Sequence, residues 1–166
     1  YVLPTYGRVD AALVKGQNAR AWDVDGKEYI DFTAGIGVNA LGYSDPEWAA
    51  AVAQQAGKIQ HLCNYYYSPE NTALAQELSE ASGMAKAFFC NSGAEANECA
   101  IKVARKYAAE KKGKDCYYIL TLEHSFHGRT LTTLAATGQD EFHQLFQPLT
   151  PAFLHAKVND LDDVLP

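Results

Sequence analysis

An α/β fold, opening with a small β-meander and continuing as a mostly parallel sheet with helices on both faces, is what the residue pattern predicts. Three observations carry this expectation. Short extended segments punctuated by Lys15-Gly16-Gln17-Asn18 and Asp25-Gly26 occupy Val9 to Phe32. Beyond Asp45, helical stretches alternate with short apolar runs, the pattern of strands joined by crossover helices. A composition of 48% hydrophobic against 20% charged residues suits a chain that buries a core.

The elements follow in order. Ala21-Trp22-Asp23-Val24 and Tyr29-Ile30-Asp31-Phe32 flank Asp25-Gly26, and Asp-Gly between apolar strands favours a tight hairpin, because a type I′ turn requires positive φ. Thr33 to Ser44 carries Gly35, Gly37 and Gly42, a loop suited to close backbone approach. Asp45 and Pro46 supply the N-cap and first residue of a helix running to about Gln60. The tyrosine run Tyr65 to Tyr67 leads into Ser68-Pro69-Glu70, the start of a second helix with Leu74, Leu78 and Ala81 on one face and Gly83 at its end. Phe88-Phe89-Cys90 predicts a short apolar strand. A long helix from Gly93 to about Lys111 comes next, then a strand Tyr117–Leu122, a short helix Thr130–Thr137 and a strand Phe153–Ala156. The chain starts at Tyr1, and Leu161 to Leu165 reads as the beginning of a helix, so both ends are expected to be cut.

Charge and hydropathy exclude several partners. A formal net charge of -6 repels phosphodiester backbones and anionic leaflets, so neither nucleic acid nor membrane is expected. No apolar run approaches the roughly 20 residues of a bilayer span, and no signal-peptide pattern opens the chain, which predicts a cytoplasmic protein. The four cysteines, Cys63, Cys90, Cys99 and Cys116, form no C-x-x-C pair and read as buried thiols. His124 and His127 stand three apart, but Gly128 follows at once and no second ligand cluster appears, so no metal is expected.

The most informative segment runs from Phe88 to Glu98. Ser92 and Glu95 fit an S-x-x-E capping box, and Ala96, Cys99, Ala100, Val103, Ala104, Tyr107 and Ala108 recur at the spacing of one helical face. The amides of Gly93 and Ala94 lack acceptors inside such a helix and point outward with the positive end of its dipole. Small residues there admit an anion, so the turn reads either as a phosphate cradle or as an ordinary capped helix. The second segment, Glu123 to Thr130, follows a strand's C-terminal end, where ligands bind in open α/β sheets. Phe126 can stack on a flat heteroaromatic ring and Arg129 can hold a carboxylate through paired hydrogen bonds. The plainer alternative makes Phe126 a core residue and Arg129 a surface charge at a helix start.

Asn91-Ser92-Gly93-Ala94-Glu95-Ala96-Asn97-Glu98, followed by Ala100-Ile101-Lys102 and Ala104-Arg105, resembles the phosphate-binding turn of class III aminotransferases of fold type I. Phe126-His127-Gly128-Arg129 at this distance resembles the same family. The resemblance implies that Ser92, Gly93 and Ala94 hold the phosphate of pyridoxal 5′-phosphate, that Phe126 lies on the cofactor ring, and that Arg129 binds the substrate carboxylate. Gly35 to Gly42 and Leu62 to Tyr66 resemble the acetylornithine branch. Gly42-Tyr43-Ser44-Asp45-Pro46 departs from that branch's Gly-His-x-His-Pro.

The implied activity is transfer of the amino group of N-acetylornithine to 2-oxoglutarate, in arginine biosynthesis, by a homodimer with the Gly35–Gly42 loop and the tyrosine run near the subunit boundary. Ornithine, succinyl-diaminopimelate and 4-aminobutyrate are the alternative donors, and a non-catalytic phosphate-binding α/β fragment is the alternative class. The resemblance further implies that residues 1–44 belong to a small domain and residues 45–166 to the first part of the large cofactor-binding domain. Transamination needs a Schiff-base lysine and an acidic partner for the pyridine nitrogen. In the family both lie further along than Pro166, and none of the ten lysines present stands in the family's lysine motif, so no catalytic residue is expected within this chain.

Overall fold

The computed structural model describes residues 1–164 and divides into two compact units, Tyr1–Asn71 and a second that runs on from Thr72. In the first unit β1 (Leu13–Gln17), β2 (Arg20–Asp23) and β3 (Glu28–Ile30) form an antiparallel meander in sequence order. The first turn falls at Asn18, with φ 50°, one step later than the Lys15–Asn18 signal suggests. Lys15, Gly16 and Gln17 instead pair with Trp22, Ala21 and Arg20. Gly16 serves a close approach, because a side chain there would run into the Tyr43 ring.

At the second turn Gly26 takes positive φ (82°) and Asp25 does not, so the connection is not type I′. Asp23 replaces that geometry. Its Oδ1 accepts the amides of Asp25 (3.0 Å) and Lys27 (2.9 Å), and its Oδ2 accepts the Tyr29 hydroxyl at 2.7 Å. The Tyr29 hydrogen bond is the largest influence holding this carboxyl below its usual range. Asp31 closes the next turn, its Oδ1 accepting the Thr33 amide (2.8 Å), the Thr33 hydroxyl (2.6 Å) and the Ala34 amide (3.1 Å). Helix α1 (Pro46–Lys58) begins where expected, with the Trp48 amide donating to Asp45 Oδ1 at 2.8 Å.

Helix α2 (Pro69–Ser82) spans the division in sequence, and Gly83 stops it at φ 72°. The second unit continues with α3 (Gly93–Lys111), β4 (Ile119–Leu122), α4 (Leu131–Ala136) and β5 (Phe153–Ala156). β4 and β5 pair in parallel, Ile119 opposite Phe153 through to Leu122 opposite Ala156. The core centres on α4: Leu134, Ala135, Ala136 and the fully buried Thr133 and Thr137 pack with Ile101 and Ala156 as the buried set. Two buried hydroxyls are tolerable here because each has a partner, with Thr137 donating to the Thr133 carbonyl at 2.9 Å and Thr133 bonding Thr130.

Several expectations need correcting. Phe88-Phe89-Cys90 is not a strand: a strand exists through its ladder, no described segment pairs with it, and both phenylalanines are exposed. The parallel pairing of β4 and β5 is as expected, with Leu120, Leu122 and Leu154 about half exposed. Ile101 is the buried residue of α3, while Val103 and Tyr107 are exposed; the inner stripe of the helix runs through Ala94, Asn97 and Ile101. Cys63, Cys90 and Cys116 are exposed and Cys99 is half-buried, against the expectation of buried thiols. Asp162 to Val164 form a turn rather than a helix start, and Leu165 lies outside the described residues. Among the described residues no cluster of three or more His, Cys, Asp or Glu could hold a metal ion, and no helix is long and apolar enough to cross a membrane.

Candidate functional site

The start of α3 is a variant of the predicted capping box. Ser92 is extended (φ −156°, ψ 158°), and its Oγ accepts the Glu95 amide at 3.2 Å. Glu95 reaches back one residue further than the box requires, its Oε2 accepting the Asn91 amide at 2.8 Å and the Ser92 hydroxyl at 3.1 Å. The Asn91 side chain, on Oε1 at 3.2 Å, is the leading cause of a Glu95 carboxyl lowered from its usual value. The Gly93 and Ala94 amides remain without acceptors in the helix. In front of Gly93 a Cβ would meet nothing within 4 Å, so a phosphate has room to reach the backbone there. This turn fits the phosphate of pyridoxal 5′-phosphate.

The segment after β4 is anchored from both sides. Ser125 Oγ accepts the Gly138 amide (3.2 Å), the Ser125 carbonyl accepts Gln139 Nε2 (2.9 Å), and the His127 amide donates to Thr137 Oγ1 (3.0 Å). On its other side the segment lies against α3. Asn97 Nδ2 donates to the His127 carbonyl at 2.8 Å, the Thr130 hydroxyl donates to Glu98, and Gly128 backs onto Ala94. Thr130 then caps α4 in a reciprocal box with Thr133.

Ser92, Gly93, Ala94, Phe126 and Arg129 thus stand on two segments that the fold packs together. Phe126 is 56% exposed, so it is not the core residue of the plainer alternative. The Arg129 guanidinium lies 5.8 Å from the Phe126 ring centre and 5.5 Å from that of Phe142, a cation held between two aromatic faces. Asn97, Glu98 and Phe142 escaped the sequence reading. The first two lie inside the diagnostic motif, but helical spacing marks only the face they occupy; Phe142 sits in a 3₁₀ turn (Asp140–Phe142) whose pattern carries no signal.

Comparison with known proteins gives the family of the chain. A family model described as Aminotransferase class-III matches residues 2–164. The acetylornithine aminotransferase of Haemophilus ducreyi is 52% identical over 98% of this chain and 41% of its own length. That of Methanocaldococcus jannaschii is 47% identical over the same shares, so the chain spans about two fifths of these relatives. Among solved structures, the ornithine aminotransferase of Toxoplasma gondii superposes with a TM-score of 0.92 at 30% identity, covering 99% of this chain and 39% of the other. A second structure of the T. gondii protein, with a TM-score of 0.91 at 30% identity over the same shares, is described as having partial occupancy of PLP at its active site.

Proposed function

Since this chain belongs to the class III aminotransferase family, we propose that it forms the cofactor- and carboxylate-gripping part of an enzyme that moves the amino group of N-acetylornithine to 2-oxoglutarate. Its fold is that of the type I pyridoxal-phosphate aminotransferases. The observation that carries the proposal is the packing of the Phe126–Thr130 segment on the first turn of α3, through Gly128 and Ala94. Contact between two motifs that could each, alone, be ordinary structure supports one shared site.

Bound here, pyridoxal 5′-phosphate supplies the electron sink that amino-group transfer needs. The chain's residues supply grip and orientation. The Gly93 and Ala94 amides receive the phosphate at the positive end of a helix of 19 residues, and the Ser92 hydroxyl joins them once its hydrogen turns from Glu95. Phe126 lies against the ring. Arg129 pairs with the substrate carboxylate, and a guanidinium over both the Phe126 and Phe142 rings is restrained ahead of that pairing. The identity to acetylornithine aminotransferases supports N-acetylornithine over ornithine, succinyl-diaminopimelate or 4-aminobutyrate. The family resemblance alone carries the rest of the reading: a cytoplasmic homodimer of the arginine pathway, with Gly35–Gly42 and Tyr65–Tyr67 near its boundary and residues 1–44 within a small domain.

The test is amino transfer by the complete enzyme from each of the four donors to 2-oxoglutarate. Highest kcat/KM with N-acetylornithine is expected. Equal or higher use of ornithine or 4-aminobutyrate would overturn the donor assignment, and no transfer from any donor would overturn the activity.

A further inference from the structure

We propose that Asn97 is a positioning residue that sets the distance between the phosphate-gripping turn and the ring-contacting Phe126, so that recognition of the whole cofactor depends on its side-chain amide. The inference rests on the site proposed above and assigns a role to a residue outside the set that grips cofactor or substrate.

Phe126 sits between two anchors. Before it, Ser125 is tied to Gly138 and Gln139; after it, His127 is tied to α3 by Asn97 Nδ2 at 2.8 Å. The other two ties to α3, Gly128 on Ala94 and Thr130 on Glu98, fall two and four residues beyond Phe126. Of these ties to α3, the one from Asn97 is therefore the nearest to Phe126 along the chain. It also lies one helical turn from Ala94 on the same face, so a single rigid stretch of α3 carries both the phosphate amides and the bond that locates the loop. The bond has one polarity. A backbone carbonyl only accepts, so position 97 must donate, and a half-buried Asn whose Nδ2 does so leaves no ambiguity about its orientation. Asp would fill the same space while setting a carboxylate oxygen against the carbonyl.

A residue that merely braced the unit would, when lost, weaken every ligand and lower stability. A positioning residue acts on the relation between two grips. Inorganic phosphate uses only the turn, whereas pyridoxamine 5′-phosphate uses the turn and the ring contact, and it forms no covalent bond with lysine that could mask a change.

The experiment compares the complete apoenzyme with Asn97→Asp and Asn97→Ala, measuring the Kd of both ligands by calorimetry and the thermal midpoint with and without each. Either variant is expected to hold inorganic phosphate within about twofold of wild type, to bind pyridoxamine 5′-phosphate roughly tenfold more weakly, and to lose part of the Tm rise that this ligand produces. Ser92→Ala, which removes a group from the turn itself, is expected to weaken both ligands. Equal weakening of both ligands by the Asn97 variants, or unchanged binding of pyridoxamine 5′-phosphate, would overturn the positioning role while leaving the site intact. A wild-type protein that binds pyridoxamine 5′-phosphate no better than phosphate would instead remove the site reading, and this inference with it.

Discussion

Gly128 and Ala94 approach so closely that a Cβ at position 128 would lie 2.9 Å from the Ala94 Cβ and 2.6 Å from Thr133 Oγ1. The glycine also has φ 135°, a backbone that L side chains rarely adopt. Both facts act at the same place, where the aromatic loop meets the first turn of α3. Gly128→Ala in the complete enzyme is therefore expected to lower stability by about 2 kcal/mol or more, from strain and overpacking together. Urea unfolding of the apoenzyme measures this, and a loss below about 0.5 kcal/mol would mean that the segment relaxes freely away from α3.

Arg129→Lys keeps the charge but loses the planar fork. It is expected to reduce kcat/KM for amino-acid substrates by roughly 1.5 to 3 kcal/mol, the range of a charged hydrogen bond, with cofactor absorbance nearly unchanged. Steady-state kinetics beside the absorption spectrum decide it. Wild-type kinetics, or loss of the cofactor, would show that Arg129 does something else.

Phe142 faces the same guanidinium 5.5 Å away. Phe142→Ala removes one aromatic face, and an exposed cation–π contact contributes about 0.5 to 1 kcal/mol. A rise in substrate KM of about two- to fivefold is expected, with kcat changed less. Combining it with Arg129→Lys in a double-mutant cycle checks the coupling, since additive effects would separate Phe142 from the arginine.

Asp31 offers a pH test in the first unit. The Thr33 hydroxyl, then the Thr33 amide, then the Tyr43 hydroxyl hold its carboxyl down to about 2 from 3.8. A depressed carboxyl stabilises the fold above the unfolded value and loses that contribution as pH falls through the folded one, here the window from about 4 to about 2. Tyr43→Phe removes one donor, so the Asp31 midpoint is expected to rise and acid unfolding to begin at higher pH. NMR titration of the Asp31 side-chain carbon gives the midpoint directly, and an unmoved value would contradict the tie.

Local rules made much of this molecule legible before any coordinates. Asp45 with Pro46 and Ser92 with Glu95 announced two helix starts because caps satisfy amides within a few residues of chain. The glycine and proline punctuation bounded most helices, and the motif residues Ser92, Gly93, Ala94, Phe126 and Arg129 could be named because the motifs that carry them resemble those of a known family. Where local rules failed, a distant partner was involved. Gly16 looked like a turn residue until the Tyr43 ring appeared beside it, and Phe88 to Cys90 looked like a strand because apolarity is visible in sequence while the pairing that makes a strand is not.

By itself, then, the sequence determined the helix starts and most helix bounds, since these depend on neighbours within one or two turns of chain. Tertiary structure alone decided that Gly128 rests on Ala94, that Asn97 holds the His127 carbonyl and that Phe142 shares Arg129 with Phe126. Those contacts join residues 13 to 34 positions apart, and helical or strand periodicity carries no record of which distant side chain or carbonyl will complete a hydrogen bond or fill a gap.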